Sequence, residues 1–162
     1  MGSADERAET QGAEPEDDGP PILVGIDGSR AARTALVWAA AEARRWNRPL
    51  LVVHAFEPPP VATGFAVTPE LTDPWIVEDA AVRLAHNEAK AVLGPRNGLK
   101  VDVEVVCGPP APTLAEMSRD AELVVVGSRG RGGFTGLLLG SVSQHLSHHS
   151  RCPVVIVREP EA

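Results

Sequence analysis

Short apolar runs alternate along the chain with segments of helical periodicity. Uninterrupted apolar runs of this length are typical of strands that are buried on both faces of a sheet. After the first run, Ala32, Ala35, Leu36 and Ala39 recur at spacings of three and four, which predicts an amphipathic helix. Ser29 precedes this helix and is a suitable N-cap. Four of the apolar runs, PILVGI, PLLVVHAF, ELVVVG and PVVIV, are almost entirely apolar, whereas in the fifth, KVDVEVV, valines alternate with acidic residues.

Three further helices are predicted between the later runs. A proline-rich connection leads to a helix that begins at Asp73-Pro74, since proline is favoured in the first turn, and ends near Leu93. Shorter helices are predicted over residues 111–120 and 141–150. The chain therefore has a regular order of strand, helix and strand from the first apolar run to the last.

This order predicts an α/β fold, a single domain with a five-stranded parallel sheet and helices on both faces. We expect the strand order 3-2-1-4-5, with strand 3 near an edge because Asp102 and Glu104 alternate with its valines. Strands 1 and 4 are then neighbours at the point where the winding reverses. Ligands of open α/β sheets bind there, outside the carboxyl ends of the strands. Asp27 and Gly127 are expected to meet in that crevice.

Charge separates the N-terminal segment from the rest. The net charge of the chain is −7, and residues 1–18 hold seven acidic residues against Arg7, so that residues 19–162 are close to neutral. Residues 1–20 have almost no apolar content, which predicts a disordered acidic tail, more simply a solvated extension than an interaction segment. The folded domain is predicted over residues 21–160. A nearly neutral domain has no electrostatic footprint for nucleic acid.

Neither export nor membrane insertion is expected. No apolar run approaches the ~18–20 residues that a membrane span requires, and no signal peptide is recognisable. Cys107 and Cys152 have no metal-binding or CxxC spacing, so we expect buried thiols and no disulfide. Together these features predict a cytoplasmic protein.

The stretch VVVGSRGRGGFTGLLLGSVSQ concentrates glycine at a junction between strand and helix. A GxxxxGK[ST] phosphate loop is excluded because the stretch has no lysine, and GxGxxG fails at Thr135. The spacing that remains is Gly127-x2-Gly130, nine residues, then Gly140-Ser141. Since glycine has no side chain, the backbone at these positions leaves room for a ribose and phosphates. The start of the last helix favours an anion. Ser141 and Ser143 either cap this helix or donate to a phosphate, and Arg129 and Arg131 add positive charge.

That spacing resembles the nucleotide-binding pattern of the universal stress protein family. ILVGIDGS resembles the family's first strand with its aspartate, and GSVSQHLSHHSRCPVVIV resembles its closing segment, so that the similarity covers roughly residues 21–158. The resemblance implies a flavodoxin-like fold, also described as adenine nucleotide alpha hydrolase-like. It further implies an ATP-binding regulator of the stress response with at most slow ATP hydrolysis.

The resemblance also implies roles for particular residues. Gly127 and Gly130 would face ribose and phosphates, and the segment from Gly140 to Ser143 would cradle the phosphates. Asp27 would lie near the adenosine or near a Mg²⁺ or Mn²⁺ ion held by the phosphates, and Ala55 would meet the adenine. No catalytic or protein-held metal residue is expected. The candidate nucleotide-binding residues are Ile26, Asp27, Gly28, Ala55, Gly127, Ser128, Arg129, Gly130, Gly140, Ser141, Val142 and Ser143.

The resemblance extends to a homodimer. The closing run PVVIV would be an exposed apolar edge of the sheet, and pairing with the same strand of a second copy covers it. An unknown protein partner is compatible with a regulatory role, and no nucleic acid or membrane partner is expected.

Several alternatives remain open at this stage. The glycine-rich stretch is also compatible with a capped surface loop in an interaction module that binds no nucleotide. An adenine-nucleotide enzyme, adenylating or phosphate-hydrolysing, is a third reading. Asp27 can serve the following turn instead of a ligand. His145, His148 and His149 resemble a metal cluster, but their spacing favours packing or exposure.

Overall fold

The computed structural model describes residues 19–57, 74–95, 98–130 and 138–159. Predictions for the tail, for the proline-rich connection after residue 57 and for residues 131–137 lie outside this part of the chain. The elements are β1 (Ile22–Gly25), α1 (Arg30–Trp46), β2 (Leu50–Phe56), α2 (Pro74–Leu93), β3 (Val101–Cys107), α3 (Pro110–Met117), β4 (Leu123–Gly127), α4 (Ser141–His149) and β5 (Val154–Val157).

The five strands form one parallel sheet in the order β3-β2-β1-β4-β5. The predicted fold class and strand order are therefore confirmed. β1 is central, and its first residue, Ile22, lies opposite Leu50 of β2 and Leu123 of β4. Since β1 and β4 are adjacent and parallel, their carboxyl ends open at the same edge of the sheet. β3 and β5 are the two edge strands.

Helices cover both faces of the sheet because the central strands are apolar on both sides. Ile22 and Val24 of β1 pack with α1 and Ala85 of α2, whereas Leu23 packs with α3 and α4 on the opposite face. α1 presents a continuous small-residue face, and its buried residues are Ala31, Ala32, Ala35, Leu36, Ala39, Ala40 and Ala43. Small side chains allow this helix to lie close to the sheet.

The local signals act as predicted at the start of α1. Ser29 is the N-cap, and its side-chain oxygen accepts a hydrogen bond from the backbone N–H of Ala32 at 3.2 Å. Arg33 of α1 makes a two-pronged ion pair with Glu88 of α2, with distances of 2.6 and 2.7 Å, which joins the two helices of that face. α3 begins at Pro110, consistent with the preference of proline for a first helical turn.

The cysteines correct one expectation. Both are free thiols, as predicted, but Cys107 is exposed at the end of the edge strand β3 and Cys152 is only partly buried. Burial nevertheless raises the pKa of the Cys152 thiol, which disfavours its thiolate. Among the described residues, no helix is long and apolar enough to cross a bilayer.

Candidate functional site

A pocket of about 650 Å³ opens at the carboxyl ends of β1 and β4. Its volume lies within the range of small-molecule sites. The ends of β1, β2 and β4 supply one side, α3 supplies Pro110 and Leu114, and the start of α4 closes the other side. The pocket therefore lies at the switch point that the strand order predicts.

Asp27 follows β1 at the base of this pocket. Its Oδ1 accepts a hydrogen bond from the backbone N–H of Ser29 at 2.9 Å. Gly28 between them has a φ of +80°, a conformation that glycine adopts without strain. One carboxylate oxygen of Asp27 is therefore bonded to the residue that caps α1. Asp27 also lines the pocket.

The three glycines of the predicted motif are constrained by different neighbours. A Cβ on Gly127 would lie 2.8 Å from the backbone carbonyl carbon of Ala31, so this glycine is needed where α1 crosses the end of β4. A Cβ on Gly130 would lie 2.6 Å from Oδ2 of Asp27. Around Gly140 the nearest atom to such a Cβ, Cα of Arg129, is 3.4 Å away, an ordinary contact. Gly127 is therefore required by a backbone contact, whereas Gly130 faces the end of a side chain and Gly140 has only ordinary contacts among the described residues.

The start of α4 is tied to the end of β4. The backbone N–H of Gly140 donates to the Ser128 carbonyl oxygen at 2.7 Å. Gly140 is the N-cap, and no side chain of the described residues caps this helix start. The first N–H groups of a helix have no acceptor within the helix. Those of α4 therefore form a partially positive edge at the pocket.

The Ser143 hydroxyl is hydrogen-bonded within the protein. It lies 3.0 Å from the Gly140 carbonyl oxygen and 3.2 Å from that of Ser128, and the residue is 1% exposed. A hydroxyl has one proton, so it donates to one of these carbonyls at a time. Ser143 thus joins α4 to β4, and its side chain does not cap the start of α4.

Two charged side chains line the described part of the pocket, Asp27 and Arg129. Arg129 is exposed at the rim, where its guanidinium can reach an anion without being buried. The remaining walls are largely apolar and come from Ile26, Ala55 and Leu114. The site thus offers an apolar cleft beside a helix start and one cation.

Sequence reasoning missed several of the lining residues, most notably His54. This residue is 8% exposed, and its Nδ1 lies 2.9 Å from the carbonyl oxygen of Ile26. Since a carbonyl can only accept, Nδ1 carries the proton, and His54 fixes the segment that leads to Asp27. Its position one residue before Ala55 at the end of β2 is the signal that could have identified it. Pro110, Leu114, Leu139 and Gln144 also line the pocket.

The structure brings ten of the twelve sequence-predicted residues to this pocket. Gly28 and Ser128 do not line it: Gly28 forms the turn after Asp27, and Ser128 is buried and contributes its carbonyl to the α4 anchor. The histidines of α4 form no metal cluster within the described residues. The His145 and His149 rings lie 4.3 Å apart, one turn from each other on α4.

The doubly wound sheet and the pocket at its switch point define a flavodoxin-like α/β protein with a ligand-sized site. The chain belongs to the universal stress protein family, whose sequence model matches residues 20–158. Two universal stress proteins of Mycobacterium tuberculosis are 40% and 38% identical to it over 149 and 148 residues. Each match covers 87% of this chain and 48% of the relative, so the chain spans about half the length of these curated relatives.

Solved structures of the family share the fold. A universal stress protein from Lactobacillus plantarum, 24% identical, superposes with a TM-score of 0.69 over 86% of this chain and 97% of that chain. A universal stress protein solved in complex with cAMP, 27% identical, gives a TM-score of 0.61 over 88% of this chain and 98% of that chain.

Proposed function

We propose that this chain binds an adenine nucleotide, ATP, in the pocket at the ends of β1 and β4, and that it acts as a nucleotide-dependent regulator in the stress response. The observation that carries the proposal is the helix start of α4 facing a pocket of about 650 Å³ beside the bare backbone of Gly140. A similar protein was solved with cAMP, which supports an adenine nucleotide as the ligand class.

The phosphates are assigned to the rim formed by Gly140, Ser141 and Val142. Backbone N–H groups at a helix start bind anions through hydrogen bonds and through the helix dipole. No neighbour among the described residues requires a glycine at residue 140, so its missing side chain leaves room that a phosphate can use. Arg129 supplies the positive side chain closest to this segment in the described part of the pocket.

The adenosine is assigned to the apolar part of the pocket. Ile26, Ala55 and Leu114 line it, and Ala55 stands at the end of β2, where the main chain can offer hydrogen-bonding groups to adenine. An adenine ring buries well against such walls, whereas its edge needs hydrogen-bond partners.

A divalent cation is assigned to the phosphates and not to a protein cluster. Asp27 places a carboxylate in the same pocket as the polyphosphate, and two like charges at close range repel. Mg²⁺ or Mn²⁺ coordinated by phosphate oxygens offsets this repulsion. We therefore expect ATP to bind more tightly with Mg²⁺ than without it.

Regulation is favoured over catalysis in this proposal. We assign no catalytic residue, and ATP hydrolysis is expected to be slow, because ribose and phosphates contact mainly glycine backbone and a helix start. The regulator would present different surfaces to a protein partner with and without nucleotide.

The identity of the ligand is tested on protein purified without added nucleotide. The protein is heat-denatured, and the released small molecules are separated by ion-exchange chromatography beside ATP, ADP and cAMP standards. Release of ATP in amounts comparable with the protein supports the proposal. Protein that releases no nucleotide and gains none after incubation with Mg²⁺-ATP would support the interaction module instead. Rapid conversion of added ATP to ADP or AMP would favour the enzyme.

A homodimer through β5 is the second part of the proposal. β5 is the last strand of the sheet order, and Val154 to Val157 are all partly buried valine or isoleucine residues, an edge that soluble sheets usually cover. Pairing with β5 of a second copy would extend the sheet across a two-fold axis. The free thiols fit a cytoplasmic protein.

Light scattering after size exclusion tests the dimer. The chain mass is 17.1 kDa, so we expect a species of twice that mass, about 34 kDa. A single species of 17.1 kDa at micromolar concentration would contradict the dimer without affecting the nucleotide site.

A further inference from the structure

Two histidine rings lie against each other near the end of α4, the end opposite to Gly140. His145 and His149 are one helical turn apart, their ring centroids are separated by 4.3 Å, and their planes are tilted by 36°. His148 stands apart from this pair, because its ring centroid lies 6.4 Å from that of His149 in an edge-on arrangement. Two of the three histidines of α4 are therefore placed to act together.

Both rings of the pair are accessible from outside. His149 is exposed, and His145 is partly exposed. In the part of the chain that the structure describes, neither ring takes part in a hydrogen bond or an ion pair. A neutral imidazole has one nitrogen that can accept a proton or bind a metal ion. The pair thus offers two such nitrogens to a ligand from solution.

The separation of the two rings is close to that required by a shared metal ion. A histidine nitrogen lies about 2.0–2.1 Å from Zn²⁺, which places the ring centroid about 3.2 Å from the ion. Two rings at adjacent coordination positions, about 90–110° apart, then have centroids about 4.5–5.2 Å from each other. The observed 4.3 Å is just below this range, so a small rotation of the side chains brings one nitrogen of each ring onto a common ion. Histidines at this spacing on one helix share zinc in HExxH enzymes.

The position of the pair along α4 also favours a cation. The last carbonyl groups of a helix have no partner within the helix, and their partial negative charge stabilises positive charge nearby. His149 belongs to the last turn of α4, and His145 to the turn before it. The two ends of α4 therefore favour ligands of opposite charge.

We propose that His145 and His149 form a two-histidine site for Zn²⁺, with water in the remaining coordination positions. Imidazole suits zinc, whereas Mg²⁺ and Ca²⁺ prefer oxygen ligands. No group of three or more metal-ligating side chains forms among the described residues, so the bound ion keeps open positions and exchanges with solution. The sequence favoured packing or exposure for these histidines, because spacing alone does not show that two rings approach each other.

This inference does not depend on nucleotide binding. The Mg²⁺ or Mn²⁺ ion assigned to the phosphates lies with the nucleotide at the start of α4, whereas the zinc site lies at its end. All measurements below are therefore made without nucleotide, so that failure of the zinc site leaves the nucleotide proposal unaffected.

Calorimetric titration of the full chain with Zn²⁺ tests the site. The buffer is non-chelating and held at about pH 7.5, where an ordinary imidazole is mostly neutral. We expect one ion per chain. His145→Gln and His149→Gln should each weaken binding by about tenfold or more, because even an outer partner of a metal ligand is worth that much. His148→Gln is the matched control on the same helix and should bind as the unchanged chain does.

Thermal unfolding provides a second measurement. An ion that binds only the folded chain raises the unfolding temperature. Zn²⁺ should therefore raise it for the unchanged chain and for His148→Gln, but not for His145→Gln or His149→Gln, and circular dichroism checks that each variant keeps its helices. Absence of Zn²⁺ binding to the unchanged chain would overturn the proposal. Equal affinity in both pair variants would overturn it too, since the ion would then lie elsewhere, for example at the exposed thiol of Cys107.

Discussion

The glycines after β4 show how one residue type serves separate purposes at neighbouring positions. Gly127 is required by the close approach of the Ala31 backbone on α1, whereas a side chain on Gly130 would meet the end of the Asp27 side chain. In the part of the chain that the structure describes, a Cβ on Gly140 would make only ordinary contacts. Stability and ligand binding should therefore separate when these positions are changed one at a time.

Gly127→Ala is expected to destabilise the fold, since the new methyl group meets the backbone of α1. Overpacking of this kind costs about 1–3 kcal/mol. Gly140→Ala is the matched control and should change the free energy of unfolding by less than about 0.5 kcal/mol. Urea denaturation followed by circular dichroism measures both. Equal stability of the two variants would show that Ala31 moves away freely.

His54 is expected to act on the site through the main chain. Its Nδ1–H bonds the Ile26 carbonyl, so His54→Ala should leave that carbonyl unsatisfied and loosen the segment carrying Asp27. We expect weaker binding of Mg²⁺-ATP, and recovery in His54→Asn, whose amide nitrogen can occupy the Nδ1 position. Calorimetric titration of both variants checks this. Unchanged affinity in His54→Ala would remove His54 from the site's support.

At the scale of elements, the site depends on how α4 is attached to β4. The Ser128 carbonyl receives the Gly140 N–H, and the Ser143 hydroxyl lies within reach of the same oxygen. These contacts hold the helix start at the pocket edge. A helix start that is free to shift would present its N–H groups to the phosphates less often.

Ser143→Ala is therefore expected to weaken ATP binding by a factor of a few, because a hydrogen bond of this type is worth about 1 kcal/mol. Ser147→Ala is the matched control. Its hydroxyl also bonds the carbonyl three residues earlier on the same helix, at 2.7 Å to Gln144, and the residue is exposed. If both variants bind ATP equally well, the contact between α4 and β4 does not support the site.

The sequence predicts elements well because each leaves a local pattern. The apolar runs became strands, Ser29 caps α1, and α2 begins at Pro74 as expected. The orientation of side chains between elements leaves no such pattern. Packing between distant segments determines the contact of His54 with Ile26 and the bonding of the Ser143 hydroxyl to backbone carbonyls. It also determines the exposure of Cys107.

In the whole molecule, a different pocket lies at each end of the sheet. The carboxyl ends of the strands open into the pocket assigned to nucleotide, and the starts of β2 and β3 lie beside a second pocket lined by Arg44, Arg48 and Lys100. The switch point was predictable because strand order alone determines it. The second pocket was not predictable, because Arg44 and Lys100 are separated by more than fifty residues and line one pocket only when β2 pairs with β3.

Calorimetric titration with ATP, with and without Mg²⁺, measures nucleotide binding at the pocket beside α4. We compare the unchanged chain with Gly140→Ala and Gly140→Val, since the extended backbone at residue 140 accepts valine without strain. We expect saturable binding that Mg²⁺ strengthens, weaker binding for alanine and loss of binding for valine, with the fold retained in both variants. Absence of binding to the unchanged chain, or equal affinity for the valine variant, would contradict the proposed site.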